Sequence, residues 1–215
     1  MIFGLFVITL SYGVSFLFPK EARKSFLIVL SVHALIILFY AYSGINFIGA
    51  TEDADLFYQH AIGGIGESCS NCFDIEHLNW NITSLSNGHF FFKNVHALLQ
   101  YYFSGPEKLI SYSTTLLAWS FCALILARLY LCICRNDFNG VSIVTYIYAL
   151  TPSILIFHSY FLREVWLSLF IFCIIYSAVI LNNQQKNLLR IFLIFLILLI
   201  GLVSILFHRY MIVII

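Results

Sequence analysis

A chain of 215 residues that is 61% hydrophobic and 10% charged departs far from the roughly 45–50% apolar and 25% charged composition of soluble globular domains, and points to an integral membrane protein. Its net charge of +1 supplies no field for nucleic acid or for a strongly acidic partner, which excludes a soluble nucleic-acid module. Four of the six cysteines, Cys122, Cys132, Cys134 and Cys173, lie in apolar runs, where a thiol behaves as a small hydrophobe.

A helical span needs about 20 apolar residues to cross about 30 Å of hydrocarbon. Ile2 to Phe18 meets that requirement narrowly, and Pro19 ends it. The run has neither a positively charged start nor a small-residue cleavage site, so it is predicted to be a retained span rather than a signal peptide. The connector that follows sets Lys20, Arg23 and Lys24 against Glu21. The positive-inside rule assigns it to the cytoplasm and the N-terminus to the exterior. Ser25 to Tyr42 is the predicted second span.

Residues 45–108 are too polar to span. The segment carries Glu52, Asp53, Asp55, Glu67, Asp74, Glu76 and Glu107 with only Lys93 and Lys108 as cations, a balance that fits the exterior side. Three of the acids, Glu52, Asp53 and Asp55, arrive directly behind the second span. Ionisable groups clustered at a bilayer boundary are candidates for function, although acids opening a loop are also commonly just solvated. Cys69 and Cys72 form a C-x-x-C pair in this polar stretch. No second pair completes a four-ligand zinc site, and a local disulfide remains open if the segment is exterior. From His89 to Phe103, Phe91, Val95, Leu98, Leu99 and Tyr102 recur at three- and four-residue spacing, with Lys93, Asn94, His96 and Gln100 mostly opposite. The pattern predicts an amphipathic helix that either lies in the membrane interface or packs as a lid on the loop.

Ser111 to Cys134 is the predicted third span, with Arg128 late enough to snorkel toward the headgroups beside Arg135. Apart from Arg128, charges are read as clustering at span ends. Val141 to Phe157 then runs outward, kinked or started at Thr151-Pro152. His158 to Glu164 forms the outer turn, and Val165 to Leu181 returns. A polar connector follows with Lys186 and Arg190 inside, and Ile191 to Phe207 goes out again to His208, Arg209 and Tyr210. Met211 to Ile215 reads as the start of a further span. The expectation is therefore an all-α polytopic protein of about six transmembrane helices. Its parts are two helices in 1–44, an exterior acidic loop with a juxtamembrane helix in 45–108, and a four-helix part in 109–215.

Span parity brings the acids at 52–55, the Arg163-Glu164 pair and Arg209 to one membrane face. Carboxylates serve as general bases or as hard oxygen ligands for a divalent cation. Arginines hold phosphate through a planar fork of donors. Asp53 and Asp55 point the same way on a strand and about 200° apart on a helix, so they share a site only in an extended or loop segment. Sharing one would raise one of the two pKa values. His60 is a candidate third ligand or an ordinary hydrogen-bonded imidazole. Arg163 and Glu164 can equally pair with each other.

The D-A-D-x-x-Y element from Asp53 to Tyr58 resembles the first exterior loop of the C-type (GT-C) membrane glycosyltransferases, and the run from Ala149 to Trp166 is similar to a pattern in polytopic proteins of bacterial surface-polysaccharide clusters. His208-Arg209-Tyr210 looks like the entry to the next span of such proteins. The resemblance implies sugar transfer at the exterior face of the inner membrane, from a polyprenyl-phosphate-type donor to a glycan or lipid-linked acceptor. Asp53 or Asp55 would be the base or would hold a divalent cation, Mg or Mn. Arg163 and Arg209 would bind the donor phosphate, with Glu52, Tyr58, His60 and Glu164 in support. Two spans precede the acidic loop where many such enzymes have one, and the later spans of a complete enzyme are not in this sequence. The competing expectations are an O-antigen or exopolysaccharide polymerase, a transporter, and a non-catalytic or truncated membrane subunit.

Overall fold

The computed structural model describes residues 2–43, 108–134, 137–151, 154–155 and 163–207, with 95–96, 98–99 and 102 of the intervening segment. All regular secondary structure among them is helical. Helix α1 is Ile2–Gly13, continued by a 3-10 turn, Val14–Leu17. The others are α2 (Lys20–Ser43), α3 (Lys108–Ile133), α4 (Phe138–Leu150), α5 (Arg163–Asn183) and α6 (Asn187–Phe207).

Prolines set two of the helix ends. A residue before proline is pushed out of the α region toward extended backbone, and Phe18, before Pro19, has φ −72° and ψ 150°. Thr151, before Pro152, has φ −58° and ψ 122°. At the first break the Pro19 carbonyl accepts the N–H groups of Ala22 and Arg23, both at 3.1 Å, and so opens α2 at once. Between α5 and α6 the Gln184 side-chain oxygen takes the backbone N–H groups of Gln185 and Lys186, each at 3.1 Å.

Four helices are long and apolar enough to cross a membrane: Lys20–Ser43, Leu109–Ile133, Glu164–Asn183 and Asn187–Ile205. Two apolar helices are shorter, Ile2–Leu17 and Phe138–Leu150. The second is only about 20 Å long at 1.5 Å per residue. Of the six predicted spans, then, four reach the spanning length; in the apolar run expected to cross from Val141 to Phe157, α4 ends at Leu150 before the proline and residues 154–155 beyond it are helical.

Helix α3 is the hub, with α1, α2, α4 and α5 packed on it, while α6 packs chiefly on α5. A column of rings ties α2 to α3: Phe18 stacks on Phe26 at 4.0 Å between centroids, Phe26 on Trp119 at 5.9 Å, and Trp119 on His33 at 4.1 Å. Ser113, Thr114, Thr115 and Ser120 are buried on α3, and each hydroxyl donates to a carbonyl one turn back at 2.7–2.9 Å. That bond removes most of the cost of burying the hydroxyl. On α6, Leu188, Phe192, Phe195, Leu198 and Leu202 face outward, as suits a helix against acyl chains.

Gly4 meets Leu109 near the start of α3, and the Leu17 carbonyl meets Arg128 near its end, so α1 and α3 run parallel. Helices α2 and α4 are likewise parallel, through Ser142 on the Glu21 carbonyl at 3.0 Å and His33 on the Ala149 carbonyl at 3.1 Å. The 3-10 turn, the start of α2, the end of α3 and the start of α4 therefore share one end of the bundle.

Candidate functional site

The predicted acidic element and most of its partners, Glu52, Asp53, Asp55, Tyr58, His60, Cys69, Cys72 and Arg209, lie outside the described residues. Arg163 opens α5, and Glu164 beside it is exposed. Their level in the bundle is fixed two residues later, where the Cys122 thiol reaches the Val165 carbonyl at 3.8 Å. Cys122 is midway along α3, so α5 begins beside the middle of that helix. Helix α4 ends at a similar level, beside His33 in mid-α2. From Cys122 back to Lys108, α3 continues for roughly 20 Å at 1.5 Å per residue. The start of α5 thus lies level with the middle of α3, while the rest of the predicted outer turn, residues 158–162, is outside the described residues.

The α5–α6 hairpin adds a second constraint. Its helices are each 21 residues long and packed together, and only Gln184, Gln185 and Lys186 separate them. Equal lengths return Phe207, the last residue of α6, to the level of Arg163.

His33 is a polar residue the sequence reading passed over. It is fully buried midway along α2, stacked on Trp119, with Nε2 3.1 Å from the Ala149 carbonyl. A carbonyl only accepts, so Nε2 carries the proton. The Ala149 carbonyl belongs to the last turn of α4, where helical acceptors lose their partners. The available signal was an imidazole inside the apolar run Ser25 to Tyr42, since ionisable side chains in mid-span mark functional or structural polar sites.

In the juxtamembrane stretch, Val95, His96, Leu98, Leu99 and Tyr102 are helical. The sides differ from the predicted ones: His96, expected opposite the apolar residues, is 2% exposed, while Tyr102 is 69% exposed. Burial pushes the His96 imidazole down to about 3.

At the other end of the bundle Asp137 caps α4. Its carboxylate accepts the Gly140 N–H at 3.1 Å and the Tyr130 hydroxyl at 2.7 Å. A Cβ at Gly140 would overlap that hydroxyl, so the turn is built around glycine. The Tyr130 hydroxyl, helped by the Gly140 N–H, holds the Asp137 carboxyl below its ordinary 3.8. Arg128 is exposed near the end of α3 and donates to the Leu17 carbonyl at 2.7 Å.

Among the described residues no cluster of three or more His, Cys, Asp or Glu is placed to hold a metal ion; the expected ligands Asp53, Asp55 and His60 are not among them. Comparison with protein-family models, curated proteins and solved structures finds no match to this chain.

Proposed function

We propose that this chain is a polytopic membrane glycosyltransferase-like protein, taking a sugar from a polyprenyl-phosphate-type donor in cell-surface polysaccharide synthesis. The segment 45–108 would lie on the exterior side of the inner membrane. The observation that carries the reading is the level of α5, whose first residues, Arg163 and Glu164, stand beside Cys122 midway along α3. Charged groups at that depth pair with one another or mark a site that admits water or a charged ligand. The headgroup of a lipid-linked sugar would supply the ligand while its chain stayed in the bilayer.

Two further features support it. The hairpin geometry returns the chain to the Arg163 level just before Arg209, which gives two guanidinium groups for one phosphate or diphosphate. The acidic element is also within reach: Asp53 follows the last described residue of α2, Ser43, by ten residues. Ten residues extend up to about 33 Å, more than the roughly 20 Å of α3 between Lys108 and the level of Arg163. Asp53 or Asp55 would then act as base or cation ligand.

The test is sugar transfer from a labelled polyprenyl donor by Asp53→Asn and Asp55→Asn, with membrane insertion verified. At least one variant is expected to lose transfer by about 100-fold or more, the usual scale for removing a general base. Full transfer by both would overturn the assignment. Loss in Arg209→Ala with both aspartate variants active would favour the polymerase.

A further inference from the structure

We infer that the opposite end of the bundle binds the phosphate of an anionic phospholipid between Arg23 and Arg128. The inference does not depend on the glycosyltransferase reading. Where the 3-10 turn breaks before Pro19, two guanidinium groups from different helices bind three successive carbonyls, those of Ser15, Phe16 and Leu17. Arg23 donates from Nε to Ser15 at 3.1 Å and from Nη2 to Phe16 at 3.2 Å; Arg128 donates from Nη2 to Leu17 at 2.7 Å. These bonds orient both groups and bring them to one short stretch of backbone, yet among the described residues they leave most of the N–H donors uncommitted. Among the described residues neither guanidinium meets a carboxylate.

The surroundings select the ligand. Lys20 and Lys24 are exposed at the start of α2, so four cations stand against two acids, Glu21 and the Asp137 carboxylate that accepts from Tyr130. Directly beside the arginines, Phe16 is 74% and Leu17 52% exposed, and the Arg23 guanidinium lies 5.6 Å from the centre of the Phe16 ring. A pre-oriented pair of cationic forks above outward apolar side chains matches a molecule with a phosphate head and an acyl chain. The excess of positive charge favours a net-anionic headgroup over a zwitterionic one. Basic pockets between helix ends bind such lipids, and the Lys and Arg bias assigns this end to the cytoplasmic leaflet.

Native mass spectrometry of the full chain in detergent, with equal phosphatidylglycerol and phosphatidylcholine, tests this without a variant. Phosphatidylglycerol adducts are expected to dominate. Arg23→Gln and Arg128→Gln should each lower the preference roughly 5-fold, the scale of one basic residue at an anionic surface. Lys186→Gln with Arg190→Gln, at the other basic connector, should leave it unchanged. Circular dichroism checks folding; should Arg23→Gln not fold, Arg128→Gln, which removes a single bond, gives the reading. Equal binding of the two lipids by the wild type would overturn the proposal. So would an equal loss in the Lys186/Arg190 variant, or displacement of the lipid by millimolar inorganic phosphate, which would mean a site for free anion rather than lipid.

Discussion

Two polar side chains hold the ends of α4, and each makes a separable prediction. At its start, Asp137 accepts from Tyr130 and Gly140, and its carboxyl is held below the ordinary 3.8. A depressed carboxyl contributes stability that is present above the unfolded-state value and lost as pH falls through the folded one. Thermal unfolding in detergent between pH 7 and pH 3 should therefore show the wild type losing stability in acid more steeply than Asp137→Asn, which has no such charge to lose. Parallel curves would remove Asp137 from the acid response. At the other end, His33→Phe keeps a ring against Trp119 but leaves the Ala149 carbonyl buried without its donor. The expected cost is about 1–3 kcal/mol, read as a lowered unfolding midpoint, while restoring a donor with His33→Gln should recover part of it. The Asp137 cap was open to a reading of N-D-F-N-G as a helix start, and His33 to its place in an apolar run. The partners, Tyr130 and Ala149, were not, because both bonds depend on how α4 is placed against its neighbours.

Among the elements, the four long apolar helices were visible from composition, and Pro19 and Pro152 marked real breaks because proline acts on the residue just before it. Helix α4 breaks at the Thr151-Pro152 step, where a kink or a start was expected, and residues 154–155 beyond it are helical again. Apolar residues continue beyond the break to Phe157, and hydropathy does not register backbone conformation, so a run that looked like one span contains a helix of 13 residues. The role of α3 was also hidden: its apolar residues lie all round, as expected of a helix covered on several sides. Its approach to α1 depends on Gly4, where a Cβ would stand 2.7 Å from Leu109 Cγ and 3.2 Å from the Leu109 carbonyl carbon. Leu109 can turn its side chain, but its backbone moves only if the helices part. Gly4→Ala should cost about 1–3 kcal/mol by overpacking, seen as easier dissociation of α1 under mild denaturant, whereas the same change at Gly13, which has open space around it, should be nearly silent.

For the molecule as a whole, the charge bias of the connectors and the described packing make one common statement about sidedness. The 3-10 turn, the end of α3 and the start of α4 meet at one end, so Cys134, exposed just past α3, shares that end with Lys20 and Lys24. The polar segment carrying Cys69 and Cys72 leaves α2 from its opposite end. In cells bearing a variant with Cys134 as its single cysteine, an impermeant thiol reagent should label only after permeabilisation. A variant retaining only Cys69 and Cys72 should label in intact cells once reduced. Glu164→Cys in a background without other cysteines probes the start of α5: it is level with Cys122, roughly 20 Å from the Lys108 end of α3, so if that end is exterior a small charged reagent should reach it from outside more slowly than it reaches residue 69. Labelling of Glu164→Cys only after permeabilisation would put the Arg163 region on the cytoplasmic side, and no exterior acidic segment would then act on a phosphate held there.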